Sequence, residues 1–332
     1  MLEIDGSYGE GGGQILRTAV ALAALTGRET KIKNIRAGRP KPGLAPQHLE
    51  AVRCVSSLTD ADVRGLTLGS TEVTFAPKGI KGGKHEIDIG TAGSIPLLLQ
   101  CIMPAATRAE NTLFLSIKGG TDVRWAPSID YLRHVFLPAI AKMGYDAEVE
   151  VVRRGYYPRG RGLVKATIRP SKLRGIVFTP PEEILIKGIS HSSRLPEHVA
   201  LRQATSARQI LSGAGYDASI SAEIKNYEST GSGITLWCDN IGGCAIGERG
   251  KPAEEVGREA AEPLLMELSS GASVDVHLAD QLIPYMALAE GKSSVTTREL
   301  TVHTKTNIWV VEQFLDVEFD VQENELVQLV KK

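Results

Sequence analysis

Several features are scarce in this 332-residue chain, and each scarcity excludes a class of protein. Aromatic residues make up only 5%, and no run approaches the roughly 20 apolar residues that a membrane-spanning helix needs. The amino-terminal residues show no basic stretch followed by an apolar one, so no secretory signal is visible. With 42% hydrophobic and 23% charged residues, the composition is that of a packed protein rather than a disordered one. We therefore expect a cytoplasmic protein without membrane attachment.

Charge and cysteine spacing exclude further classes. The formal net charge of −1 argues against wrapping duplex DNA but allows a local basic cleft. Cys54 and Cys101 lie within apolar helical patterns and are predicted to be small core residues. Cys238 and Cys244 lack a second Cys or His pair at zinc-finger spacing, so we predict two reduced thiols in neighbouring strands. A disulfide between them would be expected only in a hyperthermophile.

Glycine, in contrast, is abundant, and its 34 residues occur in clusters. The Gly-Lys-Ser of residues 291–293 lacks the earlier glycine of a phosphate-binding loop and is predicted to be an ordinary turn. Gly9–Gly13 stands directly before a predicted helix, where consecutive backbone N–H groups bind phosphate well, although a tight turn would also explain the glycines. Glu10 within this loop adds a carboxylate suited to Mg²⁺ or Mn²⁺.

Three segments of the chain, at about residues 1–80, 84–172 and 272–332, repeat one pattern. Each opens on a polar turn and enters an apolar helix, followed by a β-branched strand. A loop, a second amphipathic helix and two alternating strands complete the copy. The pattern predicts three α/β units.

Residues 178–268 break the repeat and are predicted to form a small inserted α/β domain of βαββα type. Residues 1–177 and 269–332 then form the large catalytic domain. The predicted fold class is therefore α/β (α+β), with three repeated units around a pseudo-threefold axis and one small insertion.

Polar residues also stand at the start of later helices. His277–Gln281 opens the helix of the third copy as a polar turn, where Asp280 aligns with Gly13 of the first copy. A single Asp there would be interpreted as a helix cap, but two polar turns in a repeated body favour a ligand. Gln100 is the one amide in the apolar helix of the second copy, and its partner is either backbone or a ligand.

Basic residues concentrate in the strand-to-helix loops of the first two copies, which carry Arg39 and Arg124, while Arg17 lies one turn into the first helix. The same loop of the third copy carries His303. If the copies pack around a pseudo-threefold axis, these loops converge, and an imidazole there can act as a nucleophile toward phosphorus. Residues 153–161, rich in Arg, Gly and Tyr, suit phosphate contacts and base stacking or form a solvated hairpin tip.

Taken together, the motifs resemble those of the RNA 3′-terminal phosphate cyclases along essentially the full chain. The resemblance rests on IDGSYGEGGGQILRTA, RAGRPKPGL, TAGSIPLLLQ, GGTDVRWAPSIDYL, HLADQL and the His303 segment that ends in TNIWVVEQFL. It implies a large domain of three α/β units, like those of 5-enolpyruvylshikimate-3-phosphate synthase, with a small domain inserted before the third.

The resemblance also implies an activity, the ATP-dependent conversion of an RNA 3′-phosphate to a 2′,3′-cyclic end through a histidine–AMP adduct and an RNA–adenylate. His303 matches the nucleophile, and Glu10 matches the glutamate beside a divalent metal, Mg²⁺ or Mn²⁺. The family's ATP-binding positions match Gln100, His277, Leu278, Ala279, Asp280 and Gln281, with Pro127 as an adenine-packing residue. The contacts to the phosphate or RNA end match Arg17, Arg39 and Arg124.

Two other classes share parts of this pattern. A catalytically silent relative that binds RNA during ribosomal-RNA processing would lack the histidine, whereas His303, Glu10 and the Asp280–Gln281 pair are present. A carboxyvinyl transferase acting on a small phosphorylated acid would need about twice the repeat content. The sequence therefore favours a cyclase that acts on RNA and ATP without an obligate protein partner.

Overall fold

The structure, a computed structural model, describes residues 1–9, 11–90 and 92–332 and consists of small mixed sheets packed against helices, in the α/β class predicted from the sequence. In the first unit, strand β1 (Leu2–Asp5) leads through helix α1 (Gly13–Thr26) to strand β2 (Thr30–Lys33). Helix α2 (Pro46–Thr59) and strands β3 (Asp62–Arg64) and β4 (Val73–Ala76) follow. The sheet order is β1-β2-β4-β3, with β1 and β2 parallel, as a strand–helix–strand connection requires.

The second unit repeats this order. It comprises β5 (Gly83–Asp88), α3 (Ile95–Ala106), β6 (Leu113–Gly119), a helix over residues 129–142, β7 (Asp146–Arg153) and β8 (Gly162–Arg169). That helix consists of α4 (Ile129–Tyr131), a π-helical turn (Leu132–Phe136) and α5 (Leu137–Lys142). The sheet order, β5-β6-β8-β7, is that of the first unit.

The inserted segment has a sheet and a core of its own. It contains β9 (Ile186–Ser193), α6 (His198–Gly213), β10 (Ala218–Lys225), β11 (Gly231–Cys238), β12 (Ile241–Ile246) and α7 (Ala253–Ser270). The order is β10-β9-β11-β12, and its buried apolar residues form a cluster separate from that of the other units.

The predicted βαββα type was wrong by one strand, because it omits β12, although Cys244 within β12 was assigned to a strand. Its sequence, IGGCAI, contains two glycines and lacks a clear alternation. The glycines allow close packing: a Cβ on Gly243 would lie 2.4 Å from the Ala260 carbonyl oxygen of α7, and one on Gly242 2.7 Å from the Tyr131 ring. Cys238 and Cys244 lie in the neighbouring strands β11 and β12 as free thiols, as predicted.

The third unit lacks the outer strand of the other two. It comprises α8 (Val276–Leu288), β13 (Ser293–Thr297), α9 (Val302–Phe314), β14 (Phe319–Glu323) and β15 (Val327–Lys331), in the order β13-β15-β14. In place of that strand, the backbone N–H groups of Ser273 and Val274 donate to the Thr296 carbonyl at 3.1 and 3.2 Å. The first helices of the three units, α1, α3 and α8, share one hydrophobic core. The domain boundaries at 177/178 and 268/269 stay a prediction.

No helix in the described ranges is long and apolar enough to cross a membrane.

A buried charge network ties the inserted segment to the second unit. Arg154, 1% exposed, donates to Asp130 at 2.7 Å and to Glu223 of β10 at 3.0 Å, and its contact with Asp122 is 3.4 Å. Asp122 also lies 3.4 Å from the imidazole of His191 on β9. Asp122 belongs to the loop between β6 and α4, so the inserted segment anchors this loop.

We expect Arg154→Met to destabilise the protein by about 3–5 kcal/mol, because it leaves buried carboxylates without their cation. Burial opposes ionisation of Asp122, but His191 and Arg154 outweigh it and hold its pKa below the usual range. The stabilisation is therefore complete near neutral pH and weakens as acid protonates the carboxylate.

Urea unfolding at pH 7 measures the loss, and Arg169→Met is the matched control. Arg169 pairs with Asp146 and Glu148 at the surface, where such pairs contribute about 0–1 kcal/mol. A free energy of unfolding of R154M within 1 kcal/mol of the wild type would contradict the expectation.

Candidate functional site

A cleft of about 780 Å³ is lined by residues of all three units. The amino-terminal ends of three helices reach it: Gly12 and Gly13 at α1, Val276 and His277 at α8, and Thr301 and His303 at α9. A helix amino terminus presents unpaired N–H groups and a partial positive charge. Three of them in one cleft favour an anionic ligand such as a polyphosphate.

His303 is the second residue of α9 rather than part of a loop, which corrects the prediction from the repeat pattern. The helix begins early because Thr301 supplies the cap: its side-chain oxygen accepts from the Thr304 N–H at 3.1 Å. The imidazole is 48% exposed and lines the cleft.

Asp280 stands behind this imidazole. Its Oδ1 accepts from Gln14 Nε2 at 2.6 Å and from Asn307 Nδ2 at 2.5 Å, while Oδ2 lies 4.0 Å from His303 Nδ1. Gln14 also donates to the His303 carbonyl oxygen at 3.2 Å. Burial raises the pKa of Asp280, and the charge of His303 opposes that shift. The carboxylate lies on the Nδ1 side of the ring, so Nε2 is the ring nitrogen farther from it.

Helix caps correct the predicted alignment of the copies. Asp275 caps α8 by accepting from two first-turn N–H groups at 2.9 Å each, so His277–Gln281 is helical rather than a turn. When residues are counted from the cap of each helix, Asp280 in α8 occupies the same position as Arg17 in α1, and not that of Gly13. The carboxylate and the guanidinium thus occupy equivalent places on two helices that face one cleft.

The other residues assigned to ATP fall into two groups. Gln100, His277, Gln281 and Pro127 line the cleft. Leu278 and Ala279 are 0% exposed and belong to the hydrophobic core, so their side chains do not reach it.

Two of the three predicted arginines lie at the cleft. Arg17 is half-buried, and burial lowers its pKa without removing its charge. Arg39 lies over the start of α1, where a Cβ on Gly12 would be 3.2 Å from its Nη2. Arg124 does not line the cleft, contrary to the expected symmetry, because its guanidinium pairs with Glu248 beyond β12.

Sequence reasoning missed several cleft residues, of which His48 is the clearest. Its position within a helical sequence pattern indicates a structural or solvated residue, but its ring packs against Gly13 at the start of α1. Burial, with the charges of Arg17 and Arg36, lowers the pKa of His48 to about 3, so the ring is neutral near pH 7. Arg36, Trp125, Tyr131, Asn307 and Gln47 also line the cleft. The first four lie within the motifs that carry the family resemblance, but no role was assigned to them because their place at the cleft depends on how the units pack.

Glu10, the predicted metal ligand, lies outside the described residues. Within residues 1–9, 11–90 and 92–332, no group of three or more His, Cys, Asp or Glu side chains is arranged to hold a metal ion.

Comparison with known proteins identifies the family. Residues 8–321 match the profile described as RNA 3′-terminal phosphate cyclase. A protein of that name from Methanosarcina mazei is 56% identical over 347 residues, covering 98% of each chain. Those from Archaeoglobus fulgidus (98% of this chain, 99% of that one) and Pyrococcus furiosus (97% and 95%) are 50% and 49% identical. The chain belongs to the RNA 3′-terminal phosphate cyclase family.

Family membership accounts for the motifs around the cleft, since the matched residues include α1, α3, α8 and α9. Among solved structures, the enolpyruvyl transferase NikO from Streptomyces tendae matches 52% of this chain and 33% of its own, at 12% identity. Its TM-score of 0.29 is too low to bear on the fold.

Proposed function

We propose that the protein is an ATP-dependent RNA 3′-terminal phosphate cyclase that works through a covalent histidine–AMP adduct. The observation that carries the proposal is the placement of His303, with the Asp280 carboxylate 4.0 Å from its Nδ1, in a cleft with three helix amino termini. Arg17 and Arg39 add positive charge to the same cleft. Such a cleft suits the phosphates of ATP and of an RNA end together.

In the first step, His303 Nε2 attacks the α-phosphorus of ATP. The new N–P bond replaces the bond to the bridging oxygen, and pyrophosphate leaves with that electron pair. Asp280 holds the proton at Nδ1 and offsets the positive charge that develops on the ring.

In the second step, an oxygen of the RNA 3′-phosphate attacks the adenylate phosphorus, and the N–P bond breaks to return neutral His303. In the third step, the 2′-oxygen forms a bond to the activated RNA phosphorus as its proton passes to water. The bond from that phosphorus to the bridging oxygen breaks, and AMP leaves with the electron pair. Adenylylation is needed because a phosphate dianion repels the hydroxyl and offers no good leaving group. Arginine side chains reduce that repulsion.

A divalent ion fits this arrangement only in part. Mg²⁺ is commonly held by one or two carboxylates, water and substrate phosphates, so the lack of a protein cage among the described residues is compatible with it. Asp280 is engaged by Gln14 and Asn307, which leaves Glu10 as the proposed ligand. The ion would neutralise phosphate charge.

Incubation with α-labelled ATP and a divalent metal, without RNA, tests the proposal. We expect a protein–AMP adduct that is labile in acid and stable in alkali, and its transfer to a 3′-phosphorylated oligonucleotide. RNA binding without adduct formation would instead support the catalytically silent class of relative.

Asp280→Asn should slow adduct formation by about 10- to 100-fold, because the amide cannot offset the positive charge that develops on the ring of His303, 4.0 Å away. The amide retains the shape of the side chain but removes the charge beside Nδ1. The rate of adduct formation at saturating ATP measures the effect. Asp320→Asn on the edge strand β14, away from the cleft, is the matched control, and equal rates for D280N and the wild type would contradict the role of Asp280.

Glu10→Ala should raise the metal concentration needed for half-maximal adduct formation, because a ligand carboxylate is lost. A titration of the initial rate with Mg²⁺ and with Mn²⁺ measures the shift. An unchanged titration would remove Glu10 from the metal site.

A further inference from the structure

Trp125 differs from the other two tryptophans in its surroundings. Trp237 stacks on His134 at a ring-centroid distance of 4.3 Å, and Trp309 stacks on Tyr8 at 4.2 Å. Trp125 is 93% exposed, and within the described ranges no aromatic ring stacks on it. A large apolar surface is therefore left in water at a position where no contact with the hydrophobic core explains it.

The backbone of Trp125 is unusual as well. Its φ is +57°, in the left-handed region that bulky residues rarely adopt. Such a conformation persists only where the surroundings impose it, and it occurs often at ligand-binding positions. Here it coincides with the mouth of the cleft, which Trp125 lines together with Ala126 and Pro127.

The loop that carries this indole is held in place at two points. On one side, Asp122 is buried in the Arg154 network, and Thr121 donates to it at 2.6 Å. On the other side, Arg124 pairs with Glu248, and its guanidinium carbon lies 5.9 Å from the centroid of the Trp125 ring, within cation–π range. The indole is thus exposed but preorganised, with a cation toward one face.

We propose that Trp125 is a stacking platform for a nucleobase of the RNA strand, one of the last nucleotides before the 3′-phosphate. The inference rests on the proposed function, which requires an RNA end in this cleft. A flat aromatic ring at the rim of a positively charged cleft is the usual means of binding single-stranded RNA without reading its sequence.

The position of Trp125 favours an RNA base over the adenine of ATP. Of the residues assigned to ATP that line the cleft, four are half-buried and His277 is exposed, whereas Trp125 is 93% exposed; the four are Gln100, Pro127, Asp280 and Gln281. A small ligand is normally enclosed over most of its surface. A polynucleotide must leave the cleft through its mouth, where the exposed indole lies.

Binding of a 3′-phosphorylated RNA hexamer, measured by fluorescence anisotropy in the absence of ATP, tests the proposal. We expect Trp125→Ala to weaken binding by roughly 5- to 150-fold, which corresponds to 1–3 kcal/mol per stacked base. Trp125→Phe keeps a flat ring and should retain most of the affinity. Intrinsic tryptophan fluorescence of the wild type should be quenched by the hexamer, and W125F should lose that quenching.

Hexamers with an abasic nucleotide at each of the last three positions identify the stacked base. At one position the abasic change should abolish the difference in hexamer affinity between wild type and W125A, since the stacking contact is then absent from both complexes. Equal affinities of wild type and W125A for the complete hexamer would overturn the stacking platform alone. A higher ATP requirement for adduct formation in W125A, with RNA affinity unchanged, would also overturn it and assign the indole to ATP.

Failure of the proposed function gives a different result. In that case the wild type would bind the 3′-phosphorylated and 3′-hydroxyl hexamers equally and form no adduct with ATP, and the inference would fall with the function on which it rests.

Discussion

His303→Ala is expected to form no protein–AMP adduct and to remain folded. The imidazole is 48% exposed, so its removal leaves no cavity in the core, whereas the nucleophile of the first step is lost. Gel separation after incubation with α-labelled ATP measures the adduct, and circular dichroism with thermal unfolding measures the fold. His198→Ala, a substitution at an exposed position on α6, is the matched control and should give the wild-type amount of adduct.

A second histidine of the cleft makes this test specific. His277 also lines the cleft, but Asp280 lies beside the ring of His303. We expect His277→Ala to form the adduct, more slowly if His277 contacts ATP. Adduct on H303A and none on H277A would reverse the assignment of the nucleophile.

Arg39→Ala is expected to form the adduct and then to pass AMP to RNA about 10²- to 10³-fold more slowly. The guanidinium lies over the start of α1, where it can hold two oxygens of the terminal phosphate, and losing such a charged contact in the transition state costs about 2.7–4 kcal/mol. Arg39→Lys keeps the charge without the bidentate geometry, so its rate of AMP transfer to RNA should lie between those of the wild type and R39A. A single-turnover chase of preformed adduct with 3′-phosphorylated RNA isolates this step.

Arg53→Ala is the control for this experiment, because Arg53 pairs with Glu50 on the surface of α2 and does not line the cleft. If the R39A adduct transfers AMP to RNA at the wild-type rate, binding of the RNA terminal phosphate would be assigned to Arg17 or Arg36 instead. Arg124, which the repeat pattern placed in the same role, pairs with Glu248 and is not expected to behave like Arg39.

The repeat pattern predicted the three α/β units because each unit forms its sheet and helices from residues close in sequence. The alternation in β8 is a local signal that burial of one face explains, whereas the apolar runs of α1 and α3 reflect burial of most of each helix. β12 was missing from the predicted βαββα type because its sequence does not alternate: its glycines allow close packing against α7 and Tyr131.

Local caps limited what alignment of the copies could predict. Asp275 and Thr301 begin their helices earlier than the apolar pattern indicated, which moved Asp280 and His303 from turns into helices. A difference of one helical turn changes which residues of two helices are equivalent. The equivalence of Asp280 with Arg17 therefore became visible only from the caps.

The sequence by itself determined the three units, the glycine-rich start of α1, the resemblance to the family and the choice of His303. Only the tertiary structure decided the contact between Gln14 and Asp280, which are 266 residues apart, the burial of Arg154 and the position of Arg124 outside the cleft. The physical reason is that helix and strand patterns arise from neighbouring residues. The charge and shape of the cleft instead depend on side chains from separate units whose relative positions are set by packing of the shared core.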